Sequence, residues 1–142
     1  MAQSSLAPDT ARGARVPGPL QAVRVLAVLA TLTVLYQAAT AGQILMQSEE
    51  AEEWHGGGAI ALHVLTGLLT LAAFWYARTT RGPWWPTVLS AVVFVTTFVE
   101  ASYGHGRTLW VHVPLALVLT VGTVWVTAWA FTSSALPTRS RR

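Results

Sequence analysis

Seven residues of this chain carry chemically capable side chains in surroundings that rarely hold them: Gln37, His55, His63, Glu100, His105, Arg107 and His112. Gln37, His63, Glu100 and His112 lie within long apolar runs, and His55, His105 and Arg107 lie at the ends of such runs. Ionisable groups inside apolar spans are costly, and they mark relays, counter-ions or ligand sites. Two imidazoles on separate helices could hold a metal centre from opposite faces. Each could instead make a single interhelical hydrogen bond. Glu100 could relay a proton, or pair with His63, His105 or Arg107. His55 and His105, with Glu52, Glu53 and Glu100, offer ligands suited to a transition metal. The competing reading of that second group is a solvated polar rim.

These side chains must be positioned by apolar elements. The chain has 142 residues, 53% hydrophobic and only 11% charged, where a soluble domain carries roughly a quarter charged residues. That excludes an ordinary water-soluble enzyme and a disordered chain. All nine basic residues are arginines at the ends of apolar runs rather than along one face, so nucleic acid is not expected as a partner. The absence of cysteine removes disulfides, zinc–thiolate sites, iron–sulfur ligation and thiol chemistry. A bilayer core needs about 20 mostly apolar residues per helix, and four stretches supply them: Leu20–Met46, Ala59–Ala77, Pro86–Tyr103 and Leu109–Phe131. None alternates with period 2, so helices rather than a barrel satisfy the backbone. Gly56-Gly57-Gly58, Arg81-Gly82-Pro83 with Pro86, and Gly104-His105-Gly106 punctuate the series, and Pro137 lies beyond it. The expected fold is all-α, a polytopic four-transmembrane-helix bundle over 20–131 with the lipid bilayer as its partner. Residues 1–19 and 132–142 read as cytoplasmic tails, the first of them disordered.

Arginine placement predicts the topology. Arg12, Arg15, Arg24, Arg78, Arg81, Arg139, Arg141 and Arg142 fall on one side, and only Arg107 falls on the other, beside Glu49, Glu50, Glu52 and Glu53. Short cytoplasmic loops collect Lys and Arg, so a multi-pass protein of the cell membrane with both termini cytoplasmic is expected. Trp54 and Trp110 at the outer edge, with Trp75, Trp84, Trp85 and Trp129 at the inner one, fit interfacial aromatic belts. The run Ser48–Glu53 reads as a solvated helix start that Ser48 could cap. Ala39-Thr40-Ala41 matches a signal-cleavage pattern, but the apolar stretch exceeds an ordinary signal segment, which favours retention of the first span.

The spans also read as two copies of one helical hairpin. His63-Val64-Leu65-Thr66-Gly67 in the second span parallels His112-Val113-Pro114-Leu115-Ala116 in the fourth, and Gln37-Ala38-Ala39 parallels Glu100-Ala101-Ser102. Chance similarity in an apolar sequence is the alternative. A repeat about an axis along the membrane normal would set His63 and His112 facing each other at similar depth. Counting residues agrees, since each lies roughly 6–8 Å into its helix. His63 and His112 are then the expected axial ligands of a heme b, and Arg107 could pair with a propionate. His55 and His63 are about 12 Å apart along one helix, so neither that pair nor His105 with His112 suits one iron.

A histidine early in helix two and another early in helix four is similar to one half of heme A synthase, whose four-helix units place histidine pairs for heme. Gln37, Gly42-Gln43, His63 and the His112-Val113-Pro114-Leu115 start of helix four also resemble a family of small four-helix integral membrane proteins of unknown function from GC-rich bacteria. The resemblance spans about residues 20–131 and implies heme binding on a shared scaffold. The heme A synthase motif places Glu three residues before its histidine and Arg directly after it. Glu52 and His55 keep the first spacing, Gly56 replaces the Arg, and His63 with Ile60 and Val64 matches neither, which sets heme A synthesis aside. Two functions follow as expectations. One is a bis-histidine heme b bundle for electron transfer or heme handling at the outer side, working with a redox partner or larger membrane complex. The other is a cofactor-free accessory subunit or small transporter with Gln37, Glu100 and the histidines as its polar seam. No nucleophile–base set or phosphate loop supports an enzyme.

Overall fold

The computed structural model of the protein describes residues 16–104 and 106–133. The expected tails over 1–15 and 134–142, and His105, lie outside the described residues. Four helices follow one another: α1 Gly18–Leu45, α2 Glu49–Thr80, α3 Trp85–Ser102 and α4 Leu109–Thr132, the last entered through a 3-10 turn at Gly106–Thr108. All four are long and apolar enough to cross a membrane, as the runs of apolar residues require, and together they fit a multi-pass integral membrane protein.

Each boundary has a local cause. Pro17 precedes α1, whose first turn also holds Pro19, and Trp85-Pro86 opens α3; proline is pre-set for a first helical turn, where its missing N–H is not needed. Arg81 ends α2 in the left-handed region with φ 52°. Helix α2 begins ten residues earlier than the apolar run alone suggests. Gly56-Gly57-Gly58 does not break it, because a glycine costs a helix only about 1 kcal/mol and Gly58 is buried against α1. The acidic run therefore forms the first turns of α2, where carboxylates suit the positive end of the helix dipole. Ser48 stands at the N-cap but makes no side-chain cap bond.

Short connections make consecutive helices antiparallel neighbours. Helix α1 packs on α2 and α4, and α3 packs on α2 and α4, while the backbones of the diagonal pairs stay apart. The result is a four-cornered up-down-up-down bundle. Leu20, Val23, Ala27, Ala30, Leu69, Ala72, Ala73, Val126 and Ala130 form a close-packed core toward the arginine end. Arg24 donates from Nε to the Ala130 carbonyl at 3.0 Å and lies over the Phe131 ring, and Tyr76, Trp85, Trp125 and Trp129 stack edge-on nearby. A smaller cluster of Val34, Leu62, Val93 and Leu119 closes the middle. Threonine hydroxyls along the helices donate to carbonyls one turn back, which satisfies them without water. Beyond Val34 and Leu119 the apolar core gives way to polar side chains and empty space.

Candidate functional site

At the histidine end, between α1 and α4, lies a cavity of about 370 Å³ lined by Gln37, His55, Glu100 and His112 together with apolar residues. Helix α1 contributes small residues, Ala38, Ala41 and Gly42, and α4 contributes Val113, Ala116 and Leu117. Pro114 lies inside the opening turns of α4 and cannot donate to the carbonyl one turn before it.

Glu100 and His112 are the tightest pair. The last turn of α3 carries Glu100, the first turn of α4 carries His112, and the short connection between them folds one onto the other. His112 donates from Nδ1 to the Glu100 backbone carbonyl at 3.1 Å, and its Nε2 lies 3.2 Å from the Glu100 Oε1, with both side chains 13% exposed. A carbonyl oxygen only accepts, so Nδ1 carries a proton. A proton in the Nε2–Oε1 contact makes either an imidazolium–carboxylate pair or an imidazole–carboxylic acid pair. Either form is neutral overall, which is the tolerable state for a group out of water.

His55 meets this pair from α2. Its ring centroid is 6.2 Å from that of His112, with the planes 50° apart, although the backbones of α2 and α4 stay apart. Thr40 and Gln37 on α1 hold His55 in place. Gln37 donates from Nε2 to the His55 carbonyl at 3.0 Å, and Thr40 Oγ1 lies 2.9 Å from His55 Nδ1. The Thr40 hydroxyl has the carbonyls of Tyr36 and Gln37 to donate to, each at 3.1 Å, so it accepts from Nδ1 of His55. Gln37 Oε1 is buried without a hydrogen-bond partner. It rests against Gly58, where a Cβ would collide with it, so the glycine that extends α2 also admits the glutamine.

His63 lies elsewhere. Its Nδ1 donates to the Ala59 carbonyl at 2.6 Å, and its ring stands edge-on to Phe98 at 4.2 Å. It lines a separate apolar groove between α2 and α3 with Gly67, Leu68, Phe94 and Phe98. His63 and His112 therefore occupy different grooves. The α2/α3 and α4/α1 grooves are the two that a two-fold axis relating the hairpins would exchange, an arrangement that separates the histidines instead of setting them face to face. Arg107 is exposed in the 3-10 turn, and the ion-pair partner of Glu100 is His112. Among the described residues no three His, Asp or Glu side chains gather as a metal site; His105 lies outside them.

Thr40 and the Glu100 backbone carbonyl escaped the sequence reading, since neither stands out in composition. The pairing of His55 with His112 had one signal that could have pointed to it. Ser48 followed by Glu49, Glu50, Glu52 and Glu53 is a helix-start pattern, and a helix begun there carries His55 inward. No family model matches the chain, and neither does any curated protein or solved structure, so the likeness to half of heme A synthase rests on the quoted residues alone.

Proposed function

We propose that this protein is a multi-pass membrane bundle whose polar seam exchanges a proton at its outer end, in the manner of an accessory subunit or small transporter. The observation that carries this reading is the double engagement of Glu100 by His112. A carboxyl group and an imidazole that already share one proton can gain or lose another with little movement. Gln37 and His55 line the same cavity wall as the pair, with Thr40 and Gln37 holding His55 beside it. The arginine distribution supports an outward-facing histidine end. Infrared difference spectra of the protein in lipid nanodiscs, taken across a pH series, test the reading. A carboxyl band that titrates in the wild type, vanishes in Glu100→Gln and shifts in His112→Gln is expected. A Glu100 band that stays fixed across the series would overturn it.

A bis-histidine heme b is the second reading, and the His55–His112 spacing favours it. Metal–nitrogen bonds of about 2 Å on both sides of an ion put two imidazole centroids roughly 6 Å apart, close to the separation of these rings. His63 with His112 does not fit one iron in this arrangement, because the two line different grooves; for His55 with His112 to hold one, Nε2 of His112 would have to leave Glu100. A bound heme would supply one-electron transfer. Protein purified from heme-sufficient cells would then show a Soret band lost in His55→Ala and His112→Ala but kept in His63→Ala. Colourless protein rejects this reading.

A further inference from the structure

We infer that the cavity between α1 and α4 binds a lipid-dissolved molecule whose head donates hydrogen bonds, of the quinol class. The inference rests on the polar-seam reading, and it names what that site would hold. Ligand sites are mostly apolar hollows of roughly 300–1,000 Å³ with a few placed polar groups, and this cavity of about 370 Å³ has that make-up. It suits one substituted ring and the start of a tail. Val113 and Leu117, both lining the cavity, are 55% and 62% exposed, so its mouth opens on the flank of the bundle. On a helix bundle fit for a membrane, that flank faces acyl chains, and a ligand dissolved in lipid reaches it directly.

The hydrogen-bonding groups at the head of the cavity decide the chemistry of the ligand. With the Thr40 hydroxyl donating to its own helix, Nδ1 of His55 donates to Thr40, and Nε2 of that tautomer presents a lone pair. Glu100 adds the carboxyl oxygen that His112 does not engage. The head is therefore rich in acceptors, and the hydroxyls of a quinol complement it. The carbonyls of the oxidised quinone and the carboxylate of a fatty acid offer only acceptors, which leaves acceptor against acceptor. Gly42 supplies room as well: a Cβ built there meets nothing within 4 Å, so a larger side chain would grow into open space.

Full-length protein in quinone-free nanodiscs, titrated with a short-chain ubiquinol kept reduced, with the matching ubiquinone and with decanoate, provides the test. Thermal stabilisation and the ring-nitrogen NMR signals of labelled histidine report binding. The quinol is expected to bind at least about tenfold more tightly than the quinone or decanoate, a difference of about 1.4 kcal/mol, and to move the His55 signal. Gly42→Leu should abolish binding by filling the cavity, and Ala116→Val should weaken it in a bundle less altered. His55→Leu should erase the preference for the quinol. Equal affinity for all three probes, no binding of any, or binding untouched by these substitutions would overturn the inference. The Glu100 infrared titration is run on ligand-free protein, so its outcome is independent and a failure of the quinol site is distinguishable from a failure of the proton couple.

Discussion

Glu100 and His112 show how a carboxylate and an imidazole can be kept at the end of an apolar bundle: each nitrogen of one ring is assigned to one residue, the first to its backbone and the second to its side chain. The neutral pair is the stable state. In acid both groups are protonated and a lone cation remains; in alkali both are deprotonated and a lone carboxylate remains. Thermal stability in detergent is therefore expected to peak at intermediate pH and to fall on both sides. Glu100→Gln should flatten the profile on its alkaline side, and it should cost about 1–2 kcal/mol at the maximum, the worth of one interhelical polar contact. A wild-type profile parallel to that of the variant would contradict the shared-proton arrangement. At this scale Gln37, Glu100 and His112 were legible because a polar residue in an apolar run is conspicuous by type alone. The partner of each was not legible. Helical periodicity says which face a residue occupies, whereas the His55–His112 meeting depends on which helix stands at which corner.

Helices α1, α3 and α4 follow closely from hydropathy, proline placement and length, and their observed ends lie within a few residues of the apolar runs. Helix α2 departs because its glycine triplet reads as a breaker in a sequence, whereas in the bundle Gly58 is a contact surface and Gly56 and Gly57 sit in exposed turns of the helix. Gly58 admits Gln37, Gly67 faces the Phe94 ring, and a Cβ on Gly122 would collide with Cγ2 of Val93, which is buried on α3. Closely approaching backbones are a main source of attraction between helices in lipid. Gly122→Ala is thus expected to destabilise the bundle by about 1–3 kcal/mol through overpacking, measured as a loss of thermal stability in detergent. Gly42→Ala, made where space is open, should be neutral or slightly stabilising through its better helix propensity. Equal effects of the two substitutions would contradict the close α3–α4 approach.

Across the whole molecule, close packing and polarity are divided between the two ends. The arginine end is filled by alanine, valine and tryptophan, and the Arg24 guanidinium bridges the first turns of α1 to the last of α4. The other end carries the cavity, the proline-loosened start of α4 and the polar seam. The positions of Gln37, His55, Glu100 and His112 near the same span ends foretold that polar groups would collect at one end. The hollow beside them was invisible there, since a void is a property of four helices meeting imperfectly and no single residue encodes it. That void also gives the protein an uneven mechanical character. Hydrostatic pressure favours whichever state has the smaller volume, and of the two hollows described the more enclosed lies beside His55 and His112. Compression would therefore act on the seam first, squeezing or flooding one end while the alanine-packed end held its dimensions.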